Sequence, residues 1–143
     1  MTASDESRLA AAQAWFVKVH HDLRSAAALL RAKPAITDAA LFHCQQAVEK
    51  ALKGYLHWHG CQVPKTHNLV QLGKMCTALD GSIELVTFRT VFLTRHAVSQ
   101  RYPGEGPEPT LRETRKALRL AQELVAAILD RLPRSVRPRG IRL

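Results

Sequence analysis

Apolar residues in this chain recur at steps of three and four, the spacing of one face of an α-helix, and no stretch shows the alternation of a strand. The clearest case is Leu41, Cys44, Val48, Leu52 and Tyr55, a seam that must face a core. Gln45, Glu49, Lys50 and Lys53 fall between these positions. Glu49 and Lys53 are four apart with the acid first, which reads as a solvated flank pair worth a few tenths of a kcal/mol. An earlier segment carries Leu9, Ala12, Phe16, Val19, Leu23, Ala26 and Leu30 on one face; it starts after the acids Asp5 and Glu6 and ends at Pro34.

Punctuation residues place the other boundaries. The second helix starts near Thr37 and Asp38 and ends at Gly60, a C-terminal cap. Asn68 with Gln71 caps a shorter helix over Leu69, Leu72, Met75 and Leu79, which Asp80 and Gly81 break. Ser82 is the expected cap of a further helix with Leu85, Phe88, Phe92 and Val98 in its seam, stopping before Pro103. The loop at 103–109 holds three prolines and two glycines. Thr110 and Glu113 form a capping box for a last helix with Leu111, Leu118, Ala121, Val125, Ile128 and Leu132 in its seam. Four to five amphipathic helices joined by short connections predict an all-α fold, an up-and-down antiparallel bundle.

A chain of 143 residues that is 46% hydrophobic builds one core, so a single domain over residues 1–131 is expected. Residues 132–143 carry Arg134, Arg137, Arg139 and Arg142 with two prolines and no acid, and read as an extended, disordered basic tail. It is either a solubilising end or an arm for a polyanion or protein partner. No apolar run approaches the roughly 18 residues of a membrane span, and the acidic start does not resemble a signal peptide, so a cytoplasmic protein without membrane contact is expected. Three cysteines without paired spacing fit reduced thiols. The net charge of +9 favours polyanionic ligands without selecting one.

No cofactor-binding motif stands out in the sequence. Gly104 and Gly106 stand among prolines and acids, which would repel a phosphate. His57 and His59 lie on different sides of a helix, and with Cys61 and His67 they lack a zinc spacing, so neither a metal nor a cofactor is expected. His20 and His21 sit beside the first seam, and Trp15 and Phe16 belong to the core or to a dimer face. Lys65 and His67, in the loop after the second helix, are placed to meet a phosphate or to fix the turn by hydrogen bonding.

The helix with Asp22 and Leu23, the run Gln45-Gln46-Ala47-Val48-Glu49-Lys50-Ala51-Leu52-Lys53, the turn Lys65-Thr66-His67 and Arg101-Tyr102-Pro103 together resemble the HEPN domain family, over residues from about 8 to 131. The resemblance implies a helical bundle, commonly a homodimer, related to the substrate-binding domain of kanamycin nucleotidyltransferase. Members often pair with a small nucleotidyltransferase in toxin–antitoxin systems, and many are metal-independent RNA endonucleases. In some pairs the partner modifies the motif tyrosine with nucleotide, which makes Tyr102 the corresponding acceptor by resemblance.

The family's nuclease motif runs Arg, a polar residue, a short spacer, His, one residue, Tyr. Laying its tyrosine on Tyr102 puts Arg95 on the arginine, His96 on the polar position and Gln100 on the catalytic histidine. An amide orients a phosphate or hydroxyl but cannot shuttle a proton near neutral pH. Arg89 with His96 is a looser match that loses the tyrosine register. Three expectations follow. The first is a nucleotide- or RNA-binding module acting with a nucleotidyltransferase partner, with Arg89, Gln100, Arg101, Lys65 and His67 as contacts. The second is an RNA endonuclease in which Arg95, His96 and Tyr102 act in an altered register. The third is a structural dimerisation domain.

Overall fold

The structure is a computed structural model that describes residues 3–93, 103, 104 and 106–141. Its helices are α1 (Ala3–Arg31), α2 (Thr37–Trp58), α3 (Leu69–Leu79), α4 (Glu84–Arg89) and α5 (Leu111–Leu129), with 3₁₀ turns at Gly81–Ile83 and Arg134–Val136. No strand occurs among the described residues, and the architecture is the expected all-α bundle. None of the described helices is long and apolar enough to cross a membrane.

The α1–α2 pair forms the centre of the bundle, and α5 closes it against α2. Ala12, Phe16, Val19 and Ala26 of α1 meet Leu41, Cys44, Val48, Leu52 and Tyr55 of α2, all of them buried. Burying each large side chain of this set contributes about 1.5–3 kcal/mol, which is what orders the helices. The two helices pass close at Gly54, where an added Cβ would lie 2.9 Å from Phe16 Cε2. From α5, Ala121, Leu124, Val125 and Ile128 complete the core.

The caps follow the sequence. Gly60 has φ +77°, and behind it Gly60 N–H donates to His57 O and Cys61 N–H to Leu56 O, the paired bonds of a Schellman ending. Asn68 Oδ1 accepts from the Val70 and Gln71 amides. The Thr110–Glu113 capping box is formed in both directions.

Three expectations are corrected. Asp80, not Ser82, caps the turn before α4: its Oδ1 accepts from Ser82 N–H at 3.0 Å, while Ser82 O accepts from Arg131 of the α5 end. Second, the seam after residue 82 is inverted. Ile83, Val86, Thr90 and Leu93 are buried, whereas Leu85, Phe88 and Phe92 are exposed; Val98 lies outside the described residues. Both sets have helical spacing, and α4 ends at Arg89 with a turn at Thr90 before residues 91–93 resume helical form. Third, the stretch read as an extended tail is anchored where it starts. Leu132 and Val136 are buried, and Gln13 of α1 donates to Ser135 O. Two apolar side chains among the arginines are enough to hold the 3₁₀ turn on the bundle.

Candidate functional site

Two buried carboxylates organise the polar residues that α1 and α2 share. Asp22 of α1 stands where the α1 seam would continue from Val19 to Ala26, and both of its oxygens are engaged. Oδ1 is 2.8 Å from His43 Nδ1, and Oδ2 accepts from Lys50 Nζ at 2.6 Å. His43 and Lys50 are seven apart on α2, hence on one face. A buried carboxylate satisfied at both oxygens escapes the desolvation penalty of an unpaired charge.

The second carboxylate is Glu49. It accepts from Lys53 Nζ at 3.2 Å, and its Oε1 is 3.0 Å from His67 Nδ1. The solvated pair expected of Glu49 and Lys53 is therefore corrected to a buried one, because groups distant in sequence cover it. Trp15 of α1 lies under the Lys53 ammonium, 5.7 Å from the ring centroid, and the loop carrying His67 closes over Glu49. Trp15 is itself held by its Nε1–H donating to His57 Nδ1 at 3.1 Å.

Gln45 lies one turn before Glu49 on the same face of α2. Its Nε2 donates to Leu93 O at 2.7 Å. Gln45 thus holds the residue that precedes 94–102, and Glu49 holds the loop of Lys65 and His67. His67 presents its Nδ1 edge to Glu49, which leaves Nε2 as the nitrogen for a ligand, and Lys65 of the same loop is exposed. A cation and an oriented imidazole in one loop suit an anionic group such as a phosphodiester.

The other site residues divide plainly. Arg89 is on α4, exposed, and its guanidinium donates to Glu123 of α5 at 2.7 Å. Arg95, His96, Gln100, Arg101 and Tyr102 lie outside the described residues. The histidines considered for zinc go separate ways: His57 takes the Trp15 N–H, His59 stacks on Tyr55 at 4.4 Å between centroids, and His67 joins Glu49. Among the described residues no three metal-ligating side chains converge. Burial pushes the Cys44 and Cys76 thiols up to about 12, which removes them as nucleophiles near neutral pH.

Sequence reasoning did not find the burial of Asp22 or Glu49. An acid at the seam position between Val19 and Ala26 was the available signal for Asp22. Glu49 offered none, because its cover comes from Trp15 and from residue 67.

Comparison with known proteins returns the same helical-bundle fold. The HEPN domain model matches residues 12–132, and the chain belongs to that family. The crystal structure of TT1696 from Thermus thermophilus is similar, with a TM-score of 0.69 and 29% identity, covering 85% of this chain and 98% of that one. A search of the curated proteins returns no match.

Proposed function

We propose that the protein is a dimeric HEPN module of the cytoplasm that binds RNA or a nucleotide and acts with a nucleotidyltransferase-type partner, as in a toxin–antitoxin pair. The observation that carries this reading is the pairing of supports on α2: Gln45 on Leu93 and Glu49 on His67, one turn apart. From neighbouring turns of one helix they fix both the Lys65–His67 loop and Leu93, the last described residue before the segment bearing Arg95, His96, Gln100, Arg101 and Tyr102. The net charge of +9 favours an anionic ligand there, and the arginines after Val136 add affinity without specificity. Glutamine at position 100 supports binding over turnover, because an amide does not exchange protons as imidazole does. Tyr102 is the residue on which such a partner would place a nucleotide.

The test is incubation of the purified protein with total RNA in EDTA, comparing wild type with Arg95→Ala and His96→Ala at fixed salt. RNA bound by the wild type and left intact by all three is the expected result. Cleavage by the wild type that both substitutions remove would make the protein a metal-independent endonuclease instead.

A further inference from the structure

The residues that the inverted seam turns outward form a surface of their own. Leu85, Phe88 and Phe92 are 77%, 65% and 52% exposed, and Val91 beside them is partly exposed. Their spacing of three and four makes them one ridge. Scattered exposed apolar residues are ordinary, but a contiguous ridge marks an interaction site. Beside it, α3 and α4 enclose a recess of about 300 Å³ that includes Val70, Gly73, Phe88 and Val91 in its walls. Lys74 stands on the α3 wall and Glu84 on the α4 wall, and neither is in an ion pair among the described residues.

We propose that this face is the interface with a second copy of the chain. The inference rests on the dimeric reading above and adds the surface that makes the dimer. An interface across a two-fold axis must be complementary to itself, so each projection needs a recess on the same patch and each charge its opposite. This face meets both demands: the ridge of one copy enters the recess of the other, and Lys74 lies opposite Glu84 of the second copy. Base and acid on the same face, Lys74 with Glu84, suit a self-complementary protein contact better than a polyanion, which Glu84 would repel. The first helix, whose Trp15 and Phe16 are candidates for the core or a dimer face, spends Ala12, Phe16 and Val19 inside the bundle.

Sedimentation equilibrium of the full chain tests this, with circular dichroism as the check on folding. The wild type is expected to be a dimer. Leu85→Asp and Phe88→Asp are expected to give monomers with unchanged helicity, because both side chains are solvent-exposed within one copy. Lys74→Glu and Glu84→Lys are each expected to weaken self-association severalfold, and combining them to restore it. A wild-type chain that stays monomeric at micromolar concentration would overturn the dimeric reading itself. A dimer unchanged by Leu85→Asp, Phe88→Asp and both charge reversals would overturn this surface and leave the dimer standing.

Discussion

His67 Nδ1 lies 3.0 Å from Glu49 Oε1, and the two side chains differ sharply in exposure, 70% for the histidine and 4% for the glutamate. A buried carboxylate on a rigid helix thereby sets the direction of an imidazole on a surface loop. The same carboxylate holds Lys53, so the loop, α2 and Trp15 of α1 form one connected unit. That connection puts a residue suited to ligand contact under the control of core packing.

Breaking the buried pair should be costly and replacing it should not. Glu49→Leu leaves the Lys53 ammonium without its acid in a covered site, and a loss of about 3 kcal/mol is expected. Combining Glu49→Leu with Lys53→Met should recover most of it. Urea unfolding of the two singles and the double gives the coupling directly. Additive losses would show that the pair contributes nothing.

The close approach of α1 and α2 predicts a strong effect from a small change. Gly54→Ala places a Cβ 2.9 Å from Phe16 Cε2 and 3.2 Å from Trp15 Cβ, so the helices must separate or Phe16 must leave its rotamer. The expected cost is about 1–3 kcal/mol, although alanine is the better helix former. Thermal unfolding measures it, and a variant as stable as wild type would contradict the packing.

Acid should destabilise the fold through two named groups. Partial desolvation of its ring, which lies against Tyr55, lowers His59 below its ordinary value of 6.5, so between that value and its folded pKa the unfolded chain binds a proton that the native state does not. Stability therefore falls as pH drops through this window. The Ser82 hydrogen bonds lower Asp80 below 3.8, and its contribution is present above that value and lost as pH falls through its folded pKa. Unfolding measured from pH 7 to 2 should show stability falling through both windows. His59→Asn should flatten the upper one and Asp80→Asn the lower.

Thiol reactivity should single out Cys61. Cys44 and Cys76 are buried and pushed up to about 12 by desolvation, whereas Cys61 is half-exposed after the α2 cap. Iodoacetamide at pH 8 should label Cys61 alone in the native protein, read by peptide mass spectrometry. Fast labelling of Cys44 would contradict its place in the core.

The bundle was legible in the sequence wherever local signals agreed. The α2 seam, the Gly60 ending, the Asn68 cap and the Thr110–Glu113 box each rest on residues a few positions apart. Reading failed where the deciding contact was remote. Leu85, Phe88 and Phe92 have the same periodicity as Val86, Thr90 and Leu93, and only packing on α3 and α5 selects the second set. Glu49 and Lys53 have the spacing of a surface pair, and only Trp15 and His67 reveal them as buried. The Lys65–His67 loop was singled out as candidate chemistry, but its attachment to Glu49 is a tertiary fact.

The central claim is that the Lys65–His67 loop and the segment entered at Leu93 serve one anionic ligand. Fluorescence anisotropy of a labelled single-stranded RNA, titrated with wild type, Lys65→Ala, His67→Ala and Arg95→Ala over a range of salt, tests it most directly. Binding that weakens with salt, and that each substitution reduces with a shallower salt slope for Lys65→Ala and Arg95→Ala, is the predicted result. Affinity and salt slope unchanged in all three variants would contradict it.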